Sequence, residues 1–163
     1  MNLLLYLLLT INYSTGTPAK GKLYYHKGVK ITWNDFIKVK KMEDAKALTS
    51  TAISYDYNSE KGVNVYCVLY KNASYVQSSA ISPILLNHEQ RHFDITYLYA
   101  MKFTQQLKSN HDLTENQILN IYNQIIKEWD LEQERYDSET DHSIDEEKQK
   151  EWNKNIDNRL KNL

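Results

Sequence analysis

The sequence predicts an α+β domain in which a small antiparallel β-sheet packs on one long helix, with two further helices at the C-terminal end. Three observations carry that expectation. Two runs rich in β-branched and aromatic residues, Thr51 to Tyr57 and Val63 to Tyr70, flank Asn58-Ser59-Glu60-Lys61-Gly62, the pattern of a hairpin spanning about 51–70. Ser82-Pro83 then supplies a capping serine and a proline for the first helical turn, and an apolar pattern follows to about Lys108. Finally, Thr114-x-x-Gln117 and Ser143-x-x-Glu146 are capping-box sequences, each opening a later helix.

The elements follow in order along the chain. Leu3 to Ile11 is apolar, too short to span a bilayer, and fits the core of a secretory signal. No Lys or Arg precedes it and no small-x-small site follows, so a buried strand or helix is the competing reading. The expectation is export to the periplasm, cell envelope or medium, with 1–16 removed and 17–163 forming one domain. Leu23-Tyr24-Tyr25-His26 and Val29 to Trp33 read as short extended pieces around Lys27-Gly28. Asn34 or Asp35 is expected to cap a brief helical or irregular stretch from Phe36 to Met42. Residues 71–82 are polar and small, the composition of a loop. In the helix after Thr114, Ile118, Ile121, Tyr122, Ile125, Ile126 and Trp129 recur at helical spacing, and the pattern fades from Glu132 to Tyr136. Tyr136 to His142 reads as a polar break, and Ile144, Trp152, Ile156, Leu160 and Leu163 mark the buried side of the last helix.

Bulk properties exclude some functions. A net charge of -1 over 163 residues gives no basic field for nucleic acid, so the 13 tyrosines read as packing and cleft-lining groups. Four glycines and two prolines argue against long linkers, and the lone Cys67, in an apolar strand-like run, reads as a buried hydrophobe. No stretch is long enough for a stable membrane span.

The chemistry lies in His88-Glu89-Gln90-Arg91-His92. On a helix, residues i and i+4 share a face, so His88 and His92 can offer imidazoles to one metal ion, with Glu89 beside them as general base. Two imidazoles and a neighbouring carboxylate point to Zn2+, one per chain. Such a site takes a third protein ligand. Of the remaining histidines, His142, directly before a capped helix, is the first candidate; His26 and His111 read as surface residues. Asp141 or Asp137 would orient an imidazole, while Glu128, Glu132, Glu139 or Asp141 are carboxylate alternatives for the third ligand. Tyr136 is a candidate donor to the oxyanion of a tetrahedral intermediate. The expected activity is peptide hydrolysis on a peptide or protein substrate, and Val63 to Tyr70 is a candidate edge strand for it. The rival class is a metal-binding or protein-binding module without catalysis.

Ile31-Thr32-Trp33-Asn34-Asp35-Phe36, Leu85 to Ile95, and Tyr136 to His142 with Gln149 and Trp152 occur in this order. Together they resemble an uncharacterised bacterial family assigned to the zinc-dependent proteases of the zincin type, whose pattern is W-x-D-F, H-E-Q-x-H-F-D-I and Y-D-x-x-T-x-H. The resemblance covers about residues 23–156 and implies a zincin-like fold, His142 as third ligand, and export. Two departures stand out. Ile37-Lys38-Val39 replaces a glycine usual after the first element, which bears on loop geometry. Ser143 stands where glycine commonly follows the late histidine, and is expected to serve as a helix cap.

Overall fold

A computed structural model describes residues 20–43, 45–58, 62–110 and 113–163. The N-terminal apolar stretch, with the signal expectation it carries, and His111 lie outside these residues. Within them the chain is α+β: six short strands in two three-stranded sheets, and three helices.

The hairpin forms where the pattern places it. Strands β4 (Thr51–Asn58) and β5 (Gly62–Tyr70) pair antiparallel, with Ile53 opposite Cys67 and Tyr55 opposite Val65. Alternation sends these odd-numbered residues to one face, where Ile53, Cys67 and Leu69 are buried. Strand β1 (Lys22–Tyr24) joins the other side of β5, Leu23 opposite Leu69. The order is therefore β1-β5-β4, and β5 is the central strand. This narrows the expectation that Val63 to Tyr70 offers an edge to a peptide: β4 pairs its length on one side, and on the other β1 covers Val68 to Tyr70.

A second sheet departs from the expected single antiparallel one. Strand β2 (Ile37–Val39) runs parallel to β6 (Tyr75–Gln77), and β3 (Ala47–Leu48) runs antiparallel to it, in the order β2-β6-β3. Residues 71–82 thus carry a strand where a loop was expected. Composition misled there because three residues suffice when Val76 is fully buried between two partners. Likewise Phe36 to Met42 is not helical. Thr32 caps a single 3-10 turn, Trp33–Asp35, with Asp35 closing a capping box, and the chain then extends into β2.

Helix α1 (Pro83–Lys108) begins at the Ser82 cap as the sequence predicts. It is the middle of the molecule: the β1-β5-β4 sheet packs on one side, and α2 (Glu115–Thr140) and α3 (Glu146–Lys161) on the other. Phe93, Ile95 and Phe103 on α1, Ile118 and Ile125 on α2, and Ile156 on α3 have at most 1% exposure. Each such side chain contributes about 1.5–3 kcal/mol by leaving water. The polar residues of α1 are paired rather than solvated. Gln90 accepts from the Ile31 amide at 2.8 Å and donates to Asp94 at 2.8 Å. Arg91 spans Asp94 (3.0 Å) and Asp157 of α3 (2.7 Å), and the Tyr25 hydroxyl donates to Asp94. An unpaired charge here would cost several kcal/mol, so this network fixes how α1 sits against its neighbours.

Helix α2 outruns its expected end. Tyr136 and Thr140, one turn apart, are both completely buried, and the Thr140 hydroxyl bonds back to the Tyr136 carbonyl at 2.7 Å. Inward anchoring of these two residues carries the helix through a stretch that reads as a polar break. It stops where Asp141, His142 and Ser143 take successive positive φ values of 46°, 50° and 76°. The cap of α3 is Asp145, accepting from the Lys148 amide, rather than the expected Ser143. Aspartate visits the left-handed region readily; serine, less suited to it, occupies it at the position where glycine was expected.

Ser143→Gly should therefore stabilise the protein by about 1 kcal/mol, the left-handed penalty less the entropy glycine gains in the unfolded chain. Urea denaturation would read this as a higher midpoint at unchanged slope; an unchanged or lower midpoint would show that Ser143 is unstrained.

Candidate metal centre

Positions 88 and 92 lie one turn apart on the face of α1 that meets α2, and both imidazoles point at Asp137. His88 Nε2 lies 3.1 Å from Asp137 Oδ1, His92 Nε2 lies 3.0 Å from the same oxygen, and the two Nε2 atoms are 3.1 Å apart. These three ligand atoms form the one His/Cys/Asp/Glu cluster of metal-binding geometry among the described residues. Donors about 2.0–2.1 Å from a tetrahedral ion lie about 3.3 Å from one another, so the triangle has nearly the size of one face of such a site.

The tautomers are set by the partners on the far side of each ring. His88 Nδ1 meets Gln149 Oε1 at 3.0 Å. That amide cannot be reversed, because Gln149 Nε2 donates to Asn153 Oδ1 (3.0 Å), which also accepts from Arg91 Nε (2.9 Å), and a guanidinium only donates. His92 Nδ1 meets Gln133 Oε1 at 2.6 Å, and Gln133 Nε2 donates to the His92 carbonyl at 3.0 Å. Both Nδ1 atoms therefore carry hydrogen, and both neutral rings turn an Nε2 lone pair toward an anionic oxygen. Three acceptors facing one another at 3.0–3.1 Å require a cation between them, whether a proton or a metal ion. In the metal-free protein a proton serves: burial alone would push His92 down, but the hydrogen bond and charge of Asp137 raise its pKa from 6.5 to about 9. Asp137 moves the other way: burial opposes it, yet the two imidazoles hold it well below the usual carboxylate range.

Tyr136 forms the wall behind the histidines. Its ring stacks on His88 (4.6 Å between centroids, 19° between planes) and meets His92 edge-on. Its hydroxyl accepts from Gln149 Nε2 at 2.7 Å and is within 3.3 Å of the His88 carbonyl. Completely buried, it is not presented to the open side, contrary to its expected place as an oxyanion donor. The role this geometry gives Tyr136 is to fix the plane of the His88 ring. Glu89 is 3% exposed, and its Oε2 accepts from the Thr49 hydroxyl. It stands outside the three-donor cluster, close enough for its charge to help raise His92.

Other candidates are placed elsewhere. His142 is at the rim, its side chain 66% exposed and its Nδ1 3.7 Å from Asp137 Oδ1, on the side where Asp137 itself meets solvent. Glu132 is buried against Arg159 and Tyr99, Glu128 pairs with Lys102, and Glu139 accepts from Trp152 Nε1. Asp141 caps α2 in the left-handed conformation, and His26 is exposed beside Lys27. Asp137, expected only to orient an imidazole, is the carboxylate brought to the histidines. It shares a face of α2 with Gln133, four residues earlier, a signal available only once α2 is extended to Thr140. Thr49 gave no sequence signal.

The fold and site together define an α+β protein with a His-His-Asp donor cluster beside a buried glutamate. Residues 72–143 are similar to a family described as a bacterial protein of unknown function (DUF922), a match that runs from before β6 to just past His142 and includes all three donors and Glu89. No curated protein and no solved structure matches the chain.

The pKa shifts set a pH window for the metal-free protein. His92 is raised on folding, so its contribution is complete below about pH 6.5 and is lost as pH rises through about 9. Asp137 is lowered, so its contribution is present above the ordinary carboxylate range and lost as pH falls below it. Urea midpoints measured in chelator should accordingly be higher at pH 6 than at pH 9.5, and Asp137→Asn should flatten that difference. A wild-type profile as flat as that of Asp137→Asn would refute the proton bridge.

Proposed function

We propose that this protein is a zinc-dependent metallopeptidase of zincin-like type, acting on peptide or protein substrates outside the cytoplasm. The observation that carries the reading is the convergence of the His88, His92 and Asp137 donors next to a buried glutamate that accepts from Thr49. The donor set suits Zn2+: two imidazole nitrogens and a carboxylate oxygen leave a position for a further ligand. A bound zinc would act as a Lewis acid, polarising a water and the carbonyl oxygen of the scissile bond. Asp137 supplies the third protein donor on this reading. His142, the third ligand expected from sequence, stands next to it on the open side.

Within the chain the division of labour follows from position. Gln133 and Gln149 hold the histidine tautomers so that both Nε2 lone pairs face the site. Glu89 takes the proton of the attacking water and returns it to the leaving amine. Its burial keeps competing water from the carboxylate, and the exposed side of Asp137 and His142 is where substrate arrives.

Purified protein should hold one zinc per chain by elemental analysis, and His88→Ala should lose it. Glu89→Gln should keep the metal and lose hydrolysis of unstructured, fluorescein-labelled casein by about 100-fold or more. Equal inertness of wild type and Glu89→Gln, with zinc retained, would leave a non-catalytic metal-binding or protein-binding module. The third ligand is decided by affinity. Asp137→Ala should weaken zinc binding by well over 100-fold, while His142→Ala should cost about tenfold, the effect of an outer partner. The reverse ranking would make His142 the ligand.

A further inference from the structure

We propose that Thr49 is a positioning residue for Glu89, fixing which carboxylate oxygen faces the reacting water. The inference rests on the metallopeptidase reading and adds to it a residue from outside the three helices. Thr49 follows β3 and lies two residues before Thr51, the first residue of β4, in the segment that joins the two sheets. That segment is held on both sides. The Ser50 amide donates to Ser74 Oγ at 3.0 Å, and the Ser50 carbonyl accepts from the Tyr70 amide at 2.9 Å. Thr51 pairs with Leu69 across the hairpin. The backbone under Thr49 therefore has little freedom, and its hydroxyl arrives at Glu89 Oε2 from a fixed direction.

Two features make this more than a staple between β3 and α1. First, a hydroxyl has one hydrogen, so Thr49 engages one carboxylate oxygen and leaves the other for a water. A carboxylate buried to 3% exposure and tied to a hydroxyl from a fixed direction has its plane set, which is the pre-organisation a general base needs. Second, the same segment reaches the opposite side of the site. Thr51 Oγ1 lies 2.8 Å from Thr96 Oγ1, Thr96 accepts from Gln133 Nε2 at 3.2 Å, and Gln133 Oε1 holds His92 Nδ1. Hydroxyls two residues apart thus fix both the base and one of the metal-binding imidazoles. Thr51 holds the second only through intermediaries; Thr49 touches Glu89 directly.

The test compares Thr49→Val, which keeps the shape and removes the donor, with Thr49→Ser, which keeps the donor. Each is loaded with zinc and titrated with acetohydroxamate, which ligates zinc through two oxygens and gives its proton to a neighbouring carboxylate. Thr49→Val should weaken hydroxamate binding roughly 10–100-fold, the range of one hydrogen bond to a charged group, with zinc affinity and thermal midpoint close to wild type. Thr49→Ser should restore most of it. On labelled casein the same variant should lower kcat by a similar factor and leave KM within about twofold. A valine variant that binds hydroxamate like wild type while Glu89→Gln does not would overturn the role of Thr49 and leave the metal centre standing. A valine variant impaired only in thermal midpoint or zinc affinity would make Thr49 a structural staple. Wild-type protein that takes up no zinc would overturn both.

Discussion

Three proton acceptors brought within 3.1 Å of one another organise this molecule. His88 Nε2, His92 Nε2 and Asp137 Oδ1 cannot stay together without a positive charge among them, because each is a lone pair turned toward the others and none can leave the helix that carries it. Coulombic repulsion and lost hydration act against the arrangement, and the surrounding structure has to impose it. It does so with groups that cannot be reversed: the Arg91 guanidinium orders Asn153, Asn153 orders Gln149, and Gln149 orders His88. Pre-arranged donors of this kind are what a cation site requires, since the ion then has little to reorganise.

That requirement explains why the middle of α1, from His88 to Ala100, is buried or half-buried on every face. A helix with an apolar stripe would present His88 and His92 to solvent, where the imidazoles would be hydrated and free to turn. Here the sheet covers one side, while α2 and α3 bring glutamines and Tyr136 against the other. The cost is a helix interior filled with polar groups, and each is offset by a specific partner: Asp94 by Arg91, Gln90 and Tyr25; Glu132 by Arg159 and Tyr99; Glu89 by Thr49. The donor cluster and the fold are stabilised by the same contacts.

The sequence made some of this legible. Periodicity and caps located β4, β5 and α1 almost to the residue, because alternation, a Ser-Pro start and a long apolar run are local signals. That His88 and His92 share one helix face could be read from spacing alone. What failed was the end of α2. Tyr136 to His142 has the composition of a loop, and only tertiary burial of Tyr136 and Thr140 makes it helical, a case of packing overriding local preference. Asp137 consequently looked like a loop residue fit to orient a ring, when it lies on the helix face opposite both histidines. Strands β2, β3 and β6 were invisible for a related reason: two or three residues carry no period, and their pairing joins segments far apart in sequence. Thr49 belongs to the same class of contact, meeting a residue 40 positions away.

The centre also ties the domain together in a directional way. The three clustered donor atoms come from α1 and α2, their orienting groups from α2 and α3, and the hydroxyl on Glu89 from the segment between the sheets. A cation held by His88, His92 and Asp137 therefore binds the folded arrangement and not the unfolded chain, so its binding energy adds to folding. The open side is the exception. Asp137 and His142 meet solvent where α2 ends in three consecutive left-handed residues, a turn closed by the His142 amide on the Asp137 carbonyl (3.0 Å) and the Asp145 amide on the Thr140 carbonyl (2.9 Å).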